Sequence, residues 1–360
     1  MAHDTEKSAR ITIGIDLGDK HSHFCVLDAN GNILEEGRIA NTPDALRQKF
    51  ESMEPARIAL EVGTHSPWIS RLLDDCGHEV LVANARKVGR MFRGEQKNDR
   101  IDAEKLARVA RMDTQLLAPI RHRGKRAQQH LAMLRARDCL VASRTRLVNH
   151  IRGALKSFGV RAKRCSTPTF DKKVVEFIPK ELKPALMPLV RELSSLTLKI
   201  RKFDKAIEKT CKERYPETEI LRQVNGVGPL TALCFVLTLE DPGRFQSSRA
   251  VGAYLGLRPR QFQSGKSDPE LRITKTGDRD LRRLLVGCAQ YILGPFGKDS
   301  DLRRWGLELA GRGGKNAKKR AVVAVARKLA VLLHRLWTTA EVYEPLRNSE
   351  PKRRTPRQCA

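Results

Sequence analysis

The sequence predicts an α/β domain near its N-terminal end and a mainly helical remainder. Three observations carry this: an early run alternates apolar with small or polar residues, long stretches beyond Pro119 have helical spacing, and the charge changes sharply between them. Ile11, Ile13, Ile15 and Leu17 alternate with Thr12, Gly14, Asp16 and Gly18, the period of two that half-buries a strand. A second strand is expected over His23–Asp28. It turns at Asn30-Gly31, a pair that tolerates positive φ, into a third around Ile33–Ile39. Thr42 followed by Pro43 has the form of an N-cap and first helical residue. Strand Arg57–Glu61, helix Pro67–Cys76, strand Glu79–Val82 and helix Arg100–Met112 complete the order βββαβαβα.

Arg123 to Phe158 contains no proline and many basic residues, so a long helix is expected. Further on, Leu182, Leu186, Leu189, Leu193, Leu196, Ile200, Phe203 and Ile207 recur at alternating steps of four and three. Those are heptad positions and predict a coiled-coil seam, with an ordinary amphipathic bundle helix as the alternative. Pro184 and Pro188 disturb the first turns, so the seam is expected from Leu189 onward. The expected units are residues 8–118 (α/β), 119–214 (basic helical and coiled-coil), 215–345 (mainly α-helical) and 346–360 (a basic tail).

The chain has 360 residues, with 69 Lys or Arg against 41 Asp or Glu, a net charge of +28. Such a charge repels itself and points to a polyanionic partner, nucleic acid before an anionic membrane. The longest apolar stretch, Ala321–Leu333, is interrupted by Arg327 and Lys328, and the first ten residues have no apolar core, which excludes a spanning helix there and a signal peptide. Eight scattered cysteines with no CxxC spacing argue against a zinc site or a disulfide framework and suit a reducing cytosol. Residues 1–118 hold 17 basic and 19 acidic side chains, a net of −2, so the remaining 242 residues carry +30. Carboxylate chemistry therefore belongs to the first part and phosphate binding to the second.

Four carboxylates are candidates for one metal site. Asp16 lies in the first strand between Gly14 and Gly18, Glu61 ends the fourth strand, and Asp99 and Asp102 fall on one face at a helix start. Hard divalent cations such as magnesium require oxygen ligands, and two-metal phosphodiester chemistry uses several carboxylates. Singly, each residue reads as a turn or a cap, and Asp99 could cap the helix expected from Arg100. Their joint arrangement is what points to a site.

GIDLG at 14–18, ALEVGTHSPW at 59–68 and KNDRIDAEKLA at 97–107 resemble the RuvC-like, ribonuclease H-fold domain of DEDD-type insertion-sequence transposases, a family guided by a bridge RNA. Residues 242–289, PGRFQSSRAVGAYLGLRPRQFQSGKSDPELRITKTGDRDLRRLLVGCA, resemble that family's second domain. The resemblance implies an RNA-guided DNA recombinase in which Asp16, Glu61, Asp99 and Asp102 bind Mg2+ and Ser264 is the nucleophile. It also implies double-stranded donor and target DNA, a structured guide RNA, a homodimer that pairs into a tetramer, and a bacterial cytoplasmic, nucleoid-associated location. From the residues alone, Ser264-Gly265 could be a plain turn, and Ser247, Ser248 and Ser267 are neighbouring hydroxyls that local chemistry leaves open.

Further features point to nucleic acid. Helix, Val224-Asn225-Gly226-Val227-Gly228 turn and helix over Ile220–Val236 resemble a helix–hairpin–helix whose turn amides, at Gly226 and Gly228, can hold a phosphate; a plain helical hairpin is the alternative. Arg260 and Lys266 flank Ser264, and Arg272, Lys275, Arg279, Arg282 and Arg283 follow it, a basic track or a solvated face. Three rival readings compete. An actin-like ATPase or sugar kinase would need a later DxGxG turn, which is missing; an architectural nucleic-acid-binding protein would not need the carboxylates; a RuvC-like junction nuclease would leave residues 215–345 idle.

Overall fold

The alternating run becomes β1 (Thr12–Asp16), the central strand of a five-stranded sheet. The computed structural model describes residues 11–85, 87, 98–265, 267, 269 and 271–348. The chain divides into two units at Arg123 and Gly124. In the first, β1 pairs antiparallel with β2 (His21–Leu27), and β2 with β3 (Ile33–Ala40). On its other side β1 runs parallel to β4 (Arg57–Glu61), and β4 to β5 (Glu79–Ala83), giving the order β3-β2-β1-β4-β5. The expected hairpin forms: Gly31 takes φ +86°, and the Asp28 carboxylate accepts the Asn30 and Asn32 N–H groups at 2.8 Å each. Helix α1 (Pro43–Phe50) starts as predicted, with Thr42 Oγ1 accepting the Ala45 N–H at 3.3 Å.

The period of two separates the two faces of this sheet. Ile13, Ile15, Phe24, Val26, Ile58 and Leu60 point one way and bury against α1 and α2 (Ser66–Asp75) through Leu46, Phe50, Ile69 and Leu73. The other face carries small residues and receives α3 (Asp99–Met112): Cys25 and Leu27 meet Ala103 and Ala107, while Ala59 and Ala83 meet Leu106 and Ala110. Gly14 lies under this helix, and a Cβ there would overlap the Ala103 carbonyl oxygen. Glycine is required here by close approach of two backbones.

The second unit opens with two long helices, α4 (Lys125–Ser157) and α6 (Lys183–Arg214), with the short α5 (Phe170–Val174) between them. Val148, Ile151 and Leu155 pack with Leu186, Val190 and Leu193, whereas Ala127, Leu131 and Leu134 join Ile207 and Cys211, so α4 and α6 are antiparallel. At 1.5 Å per residue each is roughly 50 Å long. Of the heptad residues, Leu186, Leu193, Leu196, Ile200 and Ile207 are buried, and Leu189 and Phe203 only partly. The buried partners of Leu186 and Leu193 belong to α4 and α5 of the same chain, and those of Ile207 to α4 and to residues beyond Arg214, so the predicted seam packs within the chain as the inner face of a helical hairpin. The helix also begins earlier than Leu189, since Pro184 sits in the first turn, where its missing N–H has no intrahelical acceptor, and Pro188 is accommodated one turn on.

Residues beyond Arg214 fold as α7 (Glu217–Arg222), α8 (Pro229–Leu239), α9 (Ser248–Tyr254), α10 (Arg279–Leu293), α11 (Asp301–Gly311) and α12 (Ala317–Thr339). Every residue of α8 from Thr231 to Leu239 is buried, as expected of a helix that is apolar all round and forms a core. Of the basic tail, residues 349–360 lie outside the described residues, as does Lys266.

Replacing Gly14 by Ala should destabilise the first unit by about 1–3 kcal/mol or more, because helix and strand must separate. Gly153→Ala in α4, where a Cβ would meet nothing within 4 Å, should be neutral or stabilising. Thermal denaturation of both variants of the full chain checks the pair; equal melting temperatures would contradict the close approach.

Candidate active site and nucleic-acid surfaces

The four predicted carboxylates sit on three elements of the first unit: the ends of β1 and β4 and the first turn of α3. Strands β1 and β4 are in register with Ile15 opposite Leu60, so the next residues, Asp16 and Glu61, end the two parallel strands side by side. Gly14 and Ala59 face α3, and two residues further along Asp16 and Glu61 turn to the same side. Across the hairpin Asp16 pairs with His23, whose Nδ1 is 4.0 Å from Asp99 Oδ2, which brings the first turn of α3 to this end of the sheet. The cap of α3 is Asn98, whose side chain accepts the Arg100 N–H at 3.1 Å. The capping role weighed for Asp99 therefore falls to its neighbour. Asp102, one-third exposed, is held by Lys105 Nζ at 3.3 Å.

Local contacts fix the loops around this end of the sheet. The loop after Glu61 is anchored by Ser66, whose buried hydroxyl accepts the Gly63 N–H at 3.0 Å and lies 2.9 Å from His122 Nε2. Burial, with Arg71 and Arg123 nearby, holds the His122 pKa below the usual imidazole value. His65 sits 3.7 Å from Asp19 and accepts the Trp68 indole N–H at 3.1 Å. Four carboxylates offer the hard oxygen donors that magnesium takes. Among the described residues no three His, Cys, Asp or Glu side chains already stand at ligating geometry. Asp99 and Asp102 instead lie beside His23 and Lys105. Sequence reasoning missed His23, although the alternation of His21, Ser22 and His23 opposite β1 would have put it on the Asp16 face.

Ser264 occupies the tip of an extended arm. Arg260 N–H bonds to the Arg272 carbonyl at 3.0 Å, Thr274 N–H to Arg258 at 2.9 Å and Lys275 N–H to Gly256 at 3.1 Å. At the tip Ser264 and Ser267 exchange both backbone bonds, at 3.1 and 3.0 Å, around Gly265 with φ +54°. Both serines are exposed. Of the alternatives, Ser267 shares the tip with Ser264, whereas Ser247 precedes α9 as its N-cap residue and the Ser248 hydroxyl is 3.0 Å from His334 Nδ1.

The basic residues divide by role. Arg260, Arg272 and Lys275 are exposed along the arm, and Arg279 is 89 % exposed at the start of α10. Arg282 instead clamps the base of the arm, donating to the carbonyls of Leu255 at 3.0 Å and Thr276 at 2.7 Å. Arg283 pairs with Asp138 of α4 at 2.7 Å. Gly226, Gly228 and Arg283, remote in sequence, line one open cleft of about 790 Å3 between the turn before α8 and α10. Gly226 takes φ +94° against Tyr291, and Gly228 has open space where a Cβ would stand. The turn thus leads into the N-terminus of α8, a geometry that favours anions.

Two family models match this chain. One, described as a transposase model of the DEDD type for IS110 elements, matches residues 13–159 and covers the four carboxylates. The other, described as the transposase family of IS116, IS110 and IS902, matches residues 218–299 and covers the glycine turn and the arm. The transposase for insertion sequence element IS1328 of Yersinia enterocolitica is 30% identical over 287 residues, 78% of this chain and 83% of that protein. A probable family 20 transposase of Pseudomonas aeruginosa is 28% identical, with 92% of this chain and 98% of that protein covered. The transposase for IS1111A of Coxiella burnetii is 28% identical over 92% of this chain and 90% of its own length.

Arg282→Ala should free the arm without unfolding the bundle. Limited proteolysis is expected to cut within residues 256–275 at least several-fold faster than in the unaltered chain, with the helical circular dichroism unchanged. Unaltered cutting would contradict the clamp.

Proposed function

Because the chain belongs to the IS116/IS110/IS902 family of insertion-sequence transposases, we propose that this DNA transposase is an RNA-guided recombinase using a carboxylate tetrad and a serine nucleophile. The observation that carries the proposal is the register of β1 and β4, which sets Asp16 beside Glu61 at the corner where α3 begins with Asp99 and Asp102. The strand order β3-β2-β1-β4-β5, with helices on both faces, supports a ribonuclease H-like, RuvC-like reading of the first domain. Asp16, Glu61, Asp99 and Asp102 would hold Mg2+, which when bound supplies Lewis-acid stabilisation of charge on phosphate oxygens.

In this reading Ser264 Oγ attacks the phosphorus of a DNA phosphodiester. A bond forms between them, the bond to the leaving strand oxygen breaks, the serine proton is lost and the departing hydroxyl gains one. The serine ester keeps the bond energy, so a hydroxyl of the incoming strand can attack it, restore Ser264 and reseal the DNA without ATP. Arg260, Arg272, Lys275 and Lys266 would hold the phosphate at the arm, and Arg279 would extend the track. Residues 256–275 contain no histidine, so no imidazole of the arm activates the serine.

Donor and target DNA and the guide RNA would be bound mainly by the basic residues beyond 118, with the Gly226–Gly228 turn and Arg283 as one phosphate contact. A homodimer assembling to a tetramer follows from the family resemblance. The heptad stripe of α6 is filled within the chain, so other surfaces would have to make those contacts. A RuvC-like nuclease is the second reading, since the same corner could direct water at a phosphodiester.

The two readings separate on a denaturing gel. Ser264→Ala should abolish a covalent protein–DNA adduct, while Ser247→Ala should not. Asp16→Asn should lower recombination by on the order of 10²-fold or more with DNA binding retained. An adduct that survives Ser264→Ala would overturn the serine assignment, and near-normal recombination by Asp16→Asn would overturn the tetrad.

A further inference from the structure

A larger cleft, of about 1380 Å3, runs beside the arm. The arm forms one wall, through Leu257, Arg272 and Lys275, and α12 forms another. On α12 the lining residues from Lys319 to Leu336 recur at helical spacing and make one continuous face, roughly 26 Å long at 1.5 Å per residue. Nine Lys or Arg line the cleft against three Asp or Glu, a ratio that selects a polyanion. Glu341 is already taken by Arg335 at 2.8 Å and Arg347 at 3.2 Å. Arg249, Arg272, Lys275, Lys319 and Arg327, all exposed, pair with no described carboxylate.

The floor is different in kind. Ile273, Leu302, Trp305 and Val331 make it apolar, and Lys328 Nζ stands 3.6 Å from the centroid of the Trp305 ring. A duplex presents phosphates outward and keeps its base faces stacked inside, so it offers such a floor only groove edges. A single strand has both a phosphate edge and unpaired bases, and grooves for single strands combine cations with apolar or aromatic platforms in this way.

We infer that this cleft seats a single-stranded stretch of DNA, its phosphates along the cations of α12 and the arm and its bases against the floor around Trp305. The identity of that strand, as the one adjoining the phosphodiester addressed by Ser264, rests on the serine reading above; occupation of the cleft does not. Seating an unpaired strand there would hold the duplex open beside the arm while ends are exchanged.

The test measures binding of fluorescent probes to the full chain at several salt concentrations. The probes are a thymidine strand of about 15 nucleotides, a site size known for such grooves, and a duplex of equal length. A uridine RNA and a polyglutamate peptide serve as competitors. Combined Lys319→Glu and Arg327→Glu should weaken the thymidine strand at least tenfold and flatten its log–log salt slope by roughly 1.4, as loss of two phosphate contacts requires. Duplex affinity should fall by a several-fold smaller factor, and Lys212→Glu on α6 should not weaken the single strand in preference to the duplex. Trp305→Ala should weaken the single strand about fivefold or more at unchanged salt slope, with Trp305→Phe partly restoring it. Equal losses for duplex and single strand, displacement by polyglutamate, or tighter binding of RNA than of DNA would each overturn the inference. Ser264→Ala should bind the thymidine strand normally, so failure of the cleft and failure of the serine assignment are read separately.

Discussion

The distance between α3 and β1 governs the geometry of the first unit. A strand and a helix ordinarily stand apart by the length of their side chains. Here Gly14 and the small residues Ala103 and Ala107 let the two backbones meet. The consequence reaches two residues further along the strand: whatever turns to the α3 face at Asp16 stands near the first turn of that helix. Through Gly14, α3 lies against the strand that ends in Asp16.

The second unit depends on different physics. Its core is built around α8, buried on all sides, with amphipathic helices laid against it. The exposed chemistry sits on what this rigid body projects. Among the described residues of the arm few side chains are buried, and its direction is fixed at the base by Arg282 on two backbone carbonyls and by left-handed Gly256 and Gly277. Ser264 lies exposed at its tip. The apolar floor and cationic walls beside it are suited to nucleic acid that is no longer paired.

Much of this was legible in the sequence because local physics decides it. The alternation about Asp16, the Asn30-Gly31 turn and the Thr42-Pro43 start each predict their element within a residue or two. The strand ends that carry Asp16 and Glu61 and the helix start that carries Asp99 and Asp102 were legible too, since both follow from local pattern. Three things were not. The fate of the heptad stripe depends on which helix covers it, and a stripe filled by α4 reads the same as one filled by a second copy. The role of Arg282 depends on carbonyls that loop packing brings to it, so a guanidinium that clamps a loop cannot be told from one that awaits a phosphate. The cleft beside α12 unites residues from Arg249 to Asn348, and no local window contains it.

Asp16, Glu61, Asp99 and Asp102 are proposed to form one cation site. The most direct measurement replaces magnesium with ferrous iron and, with ascorbate and peroxide, lets hydroxyl radicals made at the bound ion cut the nearby backbone. Sequencing of the fragments should give cuts close to Asp16, Glu61 and residues 99–102 together, suppressed by excess magnesium and absent in Asp16→Asn. Cuts confined to one of those segments, or clustered elsewhere in the chain, would contradict a shared site.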